Sequence, residues 1–305
     1  MSTINDAETK RGAMNEKSIK SKVLLSERTS MRVGGPADEF FEPANEAEFL
    51  VCLREQYGAQ NLYFVLGNGT NVLVRDGGFP GAVISTLKAL VGIEIGDDGR
   101  LVCGAGEPLS RVCRYAAECG FSGLEELSGI PGSVGGAICM NAGAYGREIC
   151  DALISARAYD LNDGNIISLT NQDCGFGYRT SVFRTKPVYV LSAEFGLARG
   201  DRGRIEAEMA EYTRKRNEKQ PVELPSAGSF FKRPEGDYAG RLIEAAGMKG
   251  ERAGGAQVSE KHAGFIVNTG GATAADVLEL AAKVKAGVYE KFNVVLEEEP
   301  VIIGV

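Results

Sequence analysis

The sequence predicts an α+β protein in three parts. Strand-like apolar runs and helix-periodic stretches alternate along its 305 residues, with the helices segregated into a few places. That length exceeds what a single hydrophobic core usually serves, so two or three domains are expected. Glycine, at 40 residues, is nearly twice its usual share, so loops and close backbone approaches matter here.

In the first part, Asn45 opens a helix with a capping box to Glu48, and Phe49, Leu50, Leu53 and Tyr57 form one face. LYFVL at 62–66 reads as a strand, followed by a glycine loop and the strands VLV and AVIS, closing a β-α-β-β unit near residue 88. In the second part, Leu109, Val112, Cys113 and Ala116 follow helical spacing, and Gly120 stands where a helix stops. Strands follow near 153–160, 165–169 and 188–195. Arg204 to Glu218 reads as a helix with Ile205, Met209 and Tyr212 on one face, closed by Pro221, and 221–229 reads as a linker or loop. In the third part, Asp237 is expected to cap a helix that buries Leu242, Ile243 and Ala246 and ends at Gly247. GFIVN at 264–268 is a strand, and Thr273 caps a long helix with the stripe Val277, Leu280, Ala281, Val284 and Val288. The tail VVLEEEPVIIGV is strand-like. No internal repeat or low-complexity tract interrupts this order.

Two stretches are too poor in side chains to build a core. GIPGSVGGA at 129–137 leads into MNAGAYG at 140–146, and LGNGTNVLV at 66–74 follows an apolar strand. Glycine reaches φ > 0 and presents bare N–H groups, which in a concave turn bind anions, phosphate above all. Two such loops point to a dinucleotide-sized cofactor. The first lacks the third glycine of G-x-G-x-x-G and no helix pattern follows it, so it is no Rossmann fingerprint, and alone it could be a glycine turn between strands. Thr70 and Ser133 can add hydroxyl donors to a phosphate.

Composition excludes several classes. A net charge of −7 argues against nucleic acid as the main partner. The basic cluster Arg214, Lys215, Arg216 and Lys219 and the pair Lys232 and Arg233 read equally as solvated faces. No apolar run approaches the roughly 20 residues of a membrane helix. The polar N-terminus has no secretory h-region and is expected to be a disordered lead. Seven cysteines without CxxC spacing fit reduced core thiols in a cytoplasmic protein. With His262 the single histidine, no His-based metal site is expected.

Three further segments carry chemistry. YRTSVF at 178–183 holds Arg179, either a bidentate carboxylate clamp or a surface arginine in a strand turn. SAGSFFKRP at 226–234 holds Ser229, either a proton donor or a capping serine; without a G-x-S-x-G elbow it is no acyl-transfer nucleophile. Glu297, Glu298 and Glu299 lie in the tail, where alternate residues face opposite sides of a strand, or form a solvated acidic edge.

RTSMRVGGPADEF, LGNGTNVLV, GIPGSVGGA with MNAGAYG, YRTSVF, SAGSFFKRP and EKFNVVLEEEPVIIG occur in that order. In order and content they resemble the UDP-N-acetylenolpyruvoylglucosamine reductases, from about residue 20 to the last residue. The resemblance implies non-covalently bound FAD in two FAD-binding subdomains of the vanillyl-alcohol-oxidase-like (PCMH-type) fold, plus an α+β substrate-binding domain. It implies these bounds: a lead at 1–19, subdomain 1 at 20–88 with the C-terminal strand 297–305, subdomain 2 at 89–215, and the substrate domain at 216–296. It implies NADPH-dependent reduction of UDP-N-acetylglucosamine enolpyruvate to UDP-N-acetylmuramate, a step of peptidoglycan precursor synthesis in the cytoplasm, with no membrane insertion and no obligate protein partner.

By the same resemblance, Gly67, Asn68, Gly69, Thr70 and Asn71, with Gly132, Ser133, Gly135, Gly136 and Ala137, are the pyrophosphate-binding loops. Arg179 holds the enolpyruvyl carboxylate, Ser229 is the proton donor, Glu299 is the third catalytic residue, and Tyr145 and Lys219 bind substrate. The chain departs from the family at LEEEP, where proline follows the glutamate and makes Glu298 a rival, and at Arg233, where asparagine is frequent. Only 49 residues separate Arg179 from Ser229, as in the shorter subclass that lacks a tyrosine-bearing loop. Two alternatives stand beside this reading: a flavin-dependent sugar or alcohol oxidase of the same fold, and a catalytically idle nucleotide-sugar binding protein.

Overall fold

The computed structural model describes residues 18–305. The expected disordered lead lies outside the described residues up to position 17, and Ile19 already opens a strand.

In chain order the main elements are β1 (Ile19–Leu24), β2 (Pro36–Phe41), α1 (Glu46–Gly58), β3 (Tyr63–Leu66), β4 (Val72–Val74), β5 (Phe79–Ser85), β6 (Ile93–Ile95), β7 (Arg100–Gly104), α2 (Leu109–Glu118) and α3 (Val134–Cys139). They continue with β8 (Leu153–Asp160), β9 (Asn165–Thr170), β10 (Val188–Gly196), α4 (Arg202–Lys219), β11 (Ser226–Ser229), α5 (Ala239–Ala245), β12 (Arg252–Ala253), β13 (Ala256–Val258), β14 (Phe265–Asn268), α6 (Ala274–Phe292) and β15 (Val301–Ile303).

Two compact units form. The first takes the described residues to Val23, Asp38–Asn68 and Gly81–Met209; the second takes Leu24–Ala37, Gly69–Pro80 and Ala210–Val305. In the first unit one sheet runs β1-β2-β5-β3, with β3 parallel to β5. A second, antiparallel sheet runs β9-β8-β10-β7-β6. One core serves them, including Phe49, Leu53, Leu101, Val112, Ile138 and Phe195. In the second unit an antiparallel sheet runs β11-β14-β13-β12, and α6 packs its apolar stripe into a core with Phe230, Leu242 and Ile266. There β15 pairs in parallel with β4, Val301 opposite Val72.

Local chemistry accounts for most of these elements. Asn45 Oδ1 accepts from the Glu48 N–H at 3.0 Å and starts α1, which buries Phe49, Leu50 and Leu53. Tyr57, expected on the same face, is 39% exposed because the last turn of α1 runs past the core; its hydroxyl donates to Asn162 Oδ1 at 3.2 Å. Leu109, Val112, Cys113 and Ala116 are buried in α2, and Gly120 at φ +76° ends it. Thr273 and Asp276 form a capping box at α6, while the Ala274 and Ala275 N–H groups donate to the Asp76 carboxylate at 2.8 Å.

Four expectations are corrected. Asp237 is not the cap of α5: Tyr238 holds that position, and Asp237 turns to Arg241 one helical turn on. Residues 226–229 are a strand rather than loop, because their backbone joins β14. The glycine-rich 129–137 stretch contains α3, which starts at Ser133. In the tail only Val301–Ile303 is regular strand, with a single bridge between Phe231 and Glu298 before it. In the basic cluster on α4, Arg214 is exposed and pairs with Glu211 and Glu218.

Candidate active site

In the first unit the two glycine stretches meet. A Cβ added at Gly67 would lie 2.3 Å from Ser133 Oγ, so only glycine allows this approach. Ser133 is 2% exposed, and its Oγ accepts from the Gly136 N–H at 3.3 Å as the N-cap of α3. The hydroxyl expected to serve a phosphate therefore also caps a helix. Gly132 stands at φ +140°. Gly135 is pressed on Ala105, whose Cβ would be 3.0 Å from an added Cβ, whereas Gly136 is exposed and meets only Ser133 Oγ, at 3.4 Å. Packing explains glycine at 135; nothing among the described residues demands it at 136. Thr86 Oγ1, 3.9 Å from a Cβ built on Gly67, is buried with no hydrogen-bond partner among the described residues. The open face of Gly136 and the orphaned Thr86 hydroxyl near Gly67 fit a cofactor laid against these loops.

The first loop divides after Asn68. Gly69, Thr70 and Asn71 belong to the second unit, where Gly69 packs on the Arg28 carbonyl and Asn71 O accepts from the Val301 N–H at 2.9 Å. Asn71 Nδ2 donates to the Glu299 carbonyl at 3.4 Å.

Arg179 occupies a two-residue turn closed by Gly177 and Thr180, which exchange backbone hydrogen bonds at 3.1 and 3.2 Å. Its backbone is left-handed, φ +55°. Its guanidinium lies 5.0 Å from the Tyr178 ring centre and donates weakly to the carbonyls of Asn141, at 3.4 Å, and Gly143, at 3.5 Å. The arginine thus lies against MNAGAYG. Tyr145, 44% exposed at φ +54°, sits with Gly146 in the hairpin turn of that same segment.

In the second unit Ser229 ends β11 after a register break against β14, with Gly228 at φ +78°. Ser229 pairs with Phe265 and is half-buried. The adjoining Phe230 is fully buried and fixes the strand. Glu299 comes alongside, its N–H donating to the Phe230 carbonyl at 2.9 Å, while Lys232 N–H donates to the Glu297 carbonyl at 2.8 Å. The three tail glutamates have distinct surroundings. Lys232 Nζ donates to Glu297 at 2.9 Å and holds that carboxyl below its ordinary value. Lys285 takes both oxygens of Glu298, at 2.9 and 3.1 Å. The Glu299 side chain is half-buried.

Lys219 is exposed at the end of α4 in the second unit. Sequence reading missed Thr86, which follows a strand with no motif around it, and Lys285, one of several lysines on α6. Asn141 lies inside MNAGAYG, where the motif alone carries no role for it. No group of three or more potential metal ligands occurs among the described residues, and no helix there is long and apolar enough to cross a membrane.

The model of the UDP-N-acetylenolpyruvoylglucosamine reductase C-terminal domain matches residues 220–303, and an FAD binding domain matches 37–170. A UDP-N-acetylenolpyruvoylglucosamine reductase of Clostridium novyi is 45% identical over 292 residues, covering 95% of this chain and 94% of the relative. The chain belongs to the UDP-N-acetylenolpyruvoylglucosamine reductase family. Another member, from Clostridium tetani, is 43% identical over 291 residues. The crystal structure of the Thermus caldophilus reductase superposes with a TM-score of 0.78 at 37% identity, covering 94% of this chain and 99% of that one. Family membership and the FAD binding domain make the chain an FAD-containing oxidoreductase, and the α+β expectation for its fold holds.

Proposed function

We propose that this chain reduces UDP-N-acetylglucosamine enolpyruvate to UDP-N-acetylmuramate in the bacterial cytoplasm, with NADPH as donor, and that Arg179, Ser229 and Glu299 carry the substrate chemistry. Identity of 45% across 95% of the chain supports the reaction. The observation that most supports the residue assignment is the placement of Ser229 and Glu299 on neighbouring chain segments, joined through the Phe230 carbonyl at 2.9 Å.

FAD held by the glycine loops and reduced by NADPH would supply a hydride to the terminal carbon of the enolpyruvyl group. Negative charge then develops on the adjacent carbon and spreads into the carboxylate as an enediolate. The planar guanidinium fork of Arg179 matches that carboxylate. Glu299 is the third residue assigned to this chemistry, as a hydrogen-bond donor to the same group. Ser229 Oγ delivers the proton that completes the lactyl ether. A hydroxyl is a weak acid, but the enediolate is strongly basic, and position decides such a transfer.

The pyrophosphate of FAD is assigned to Gly67, Asn68, Gly69, Thr70, Asn71, Gly132, Ser133, Gly135, Gly136 and Ala137. The open face of Gly136 and the orphaned Thr86 hydroxyl support this assignment. Tyr145 and Lys219 are assigned to substrate. The proposed domains are 20–88 with 297–305, 89–215 and 216–296.

The test is anaerobic and uses the flavin's visible absorbance. NADPH bleaches the holoenzyme, and the enolpyruvyl substrate then restores the colour with one lactyl product per flavin. Bleaching without substrate-dependent recovery overturns the reaction.

A further inference from the structure

Asn141 is 1% exposed, its backbone is left-handed at φ +43°, and no role above uses it. Its side chain is fully engaged. Nδ2 donates to Glu148 Oε2 at 2.8 Å and to the Gly177 carbonyl at 3.3 Å, and Oδ1 accepts from the Cys150 N–H at 3.1 Å. Gly177 O also receives the Thr180 N–H at 3.2 Å and so closes the turn that carries Arg179. The Asn141 carbonyl, in addition, accepts from Arg179 Nη1 at 3.4 Å. One buried residue therefore grips the backbone turn of the arginine from below and touches its guanidinium from the side.

We propose that Asn141 is a positioning residue for Arg179, holding the guanidinium in register with the enolpyruvyl carboxylate; the proposal rests on the reading of Arg179 given above. A bidentate fork delivers its charge only in a narrow geometry. Arg179 sits in a backbone region that non-glycine residues leave unless neighbours over-determine it. The turn sets where the guanidinium starts from, and Asn141 holds that turn through the Gly177 carbonyl. Asparagine suits position 141 for two reasons. It tolerates the left-handed region, and its amide offers two donors and an acceptor at once. Aspartate keeps the shape and the acceptor but turns two attractions, to Glu148 and to the Gly177 carbonyl, into repulsions. Glycine keeps the backbone angle and removes all three bonds.

The test uses flavin-loaded holoenzyme of wild type, Asn141→Gly, Arg179→Lys and the double variant, in single-turnover half-reactions. Flavin reduction by NADPH is expected to be unchanged in all four. Reoxidation by UDP-N-acetylglucosamine enolpyruvate is expected to slow about 10²-fold in Asn141→Gly, the scale of a misplacement of about 1 Å. In the Arg179→Lys background the same substitution is expected to add nothing further. Normal reoxidation by Asn141→Gly, equal slowing in both backgrounds, or equal loss in both half-reactions overturns the positioning role. Normal reoxidation by Arg179→Lys overturns the Arg179 reading itself. If Asn141→Gly does not retain flavin, Asn141→Asp is measured against the same criteria.

Discussion

Lys285 grips Glu298 by both carboxylate oxygens, at 2.9 and 3.1 Å, and so ties up the glutamate that rivals Glu299. Glu298→Gln is expected to leave flavin reoxidation by the enolpyruvyl substrate within a fewfold of wild type. Glu299→Ala is expected to slow it strongly, and Glu299→Gln, which keeps a donor, less so. Single-turnover reoxidation decides: a crippled Glu298→Gln beside a normal Glu299→Ala would move the catalytic role one residue back.

Arg179→Lys keeps a charge but loses the planar fork. Reduction of the flavin by NADPH should be spared, while reoxidation by substrate should fall by about 10²-fold or more. Stopped-flow absorbance separates the half-reactions, and equal impairment of both would assign Arg179 a structural role.

Ser229 is half-buried at the end of β11, and alanine differs from it only by the hydroxyl. Ser229→Ala should therefore leave folding, FAD content and NADPH oxidation by the flavin intact, with product formation lowered about 10²–10⁴-fold. A variant that makes product at the wild-type rate would remove Ser229 from the reaction.

The neighbouring glycines 135 and 136 should separate. Gly136→Val faces open space apart from Ser133 Oγ, so the protein should fold and purify colourless. Gly135→Val meets Ala105 and should in addition lose roughly 1–3 kcal/mol of stability to overpacking. Flavin content and thermal melting measure the two effects, and stoichiometric FAD in Gly136→Val would refute the loop assignment.

His262 is held below its ordinary pKa chiefly by burial, and its Nδ1 accepts the Gly264 N–H at 3.1 Å. A depressed pKa means that the unfolded chain binds the proton first. Stability is then lost as pH falls from about 7 through the free imidazole value near 6.5. His262→Asn keeps an acceptor without titrating, so its melting temperature should vary less than that of wild type between pH 7 and 5. Identical slopes would show that other groups dominate.

Much of this is legible in the sequence. Asn45 and Thr273 announced their helices by chemistry that acts within one turn, and the stripes at 109–116 and 277–288 fixed which faces are buried. What escaped reading depends on distant partners. Glycines 135 and 136 argue against helix, yet α3 forms because Ser133 caps it and Val134, Ala137 and Ile138 reach the core. Asp237 looked like a cap until Arg241 took its carboxylate. Ser226–Ser229 carries no strand pattern and becomes a strand only because β14 offers it an edge. The site was legible as motifs; the grip of Asn141 on the Arg179 turn was not, since its partners at 148, 150, 177 and 179 lie in different segments.

The second unit is stitched from 24–37, 69–80 and 210–305, with β15 laid parallel to β4 across the whole intervening chain. On the ribosome this imposes an order of assembly. Residues 69–80 emerge early, but their partner strand and the core supplied by α6 are made only after some two hundred more residues have been translated. Val72, Leu73 and Val74, a short apolar strand, must wait unpaired through that interval. Such long-range closure is slow and exposes sticky surface. Newly made chains should accordingly depend on chaperones until 210–305 is complete.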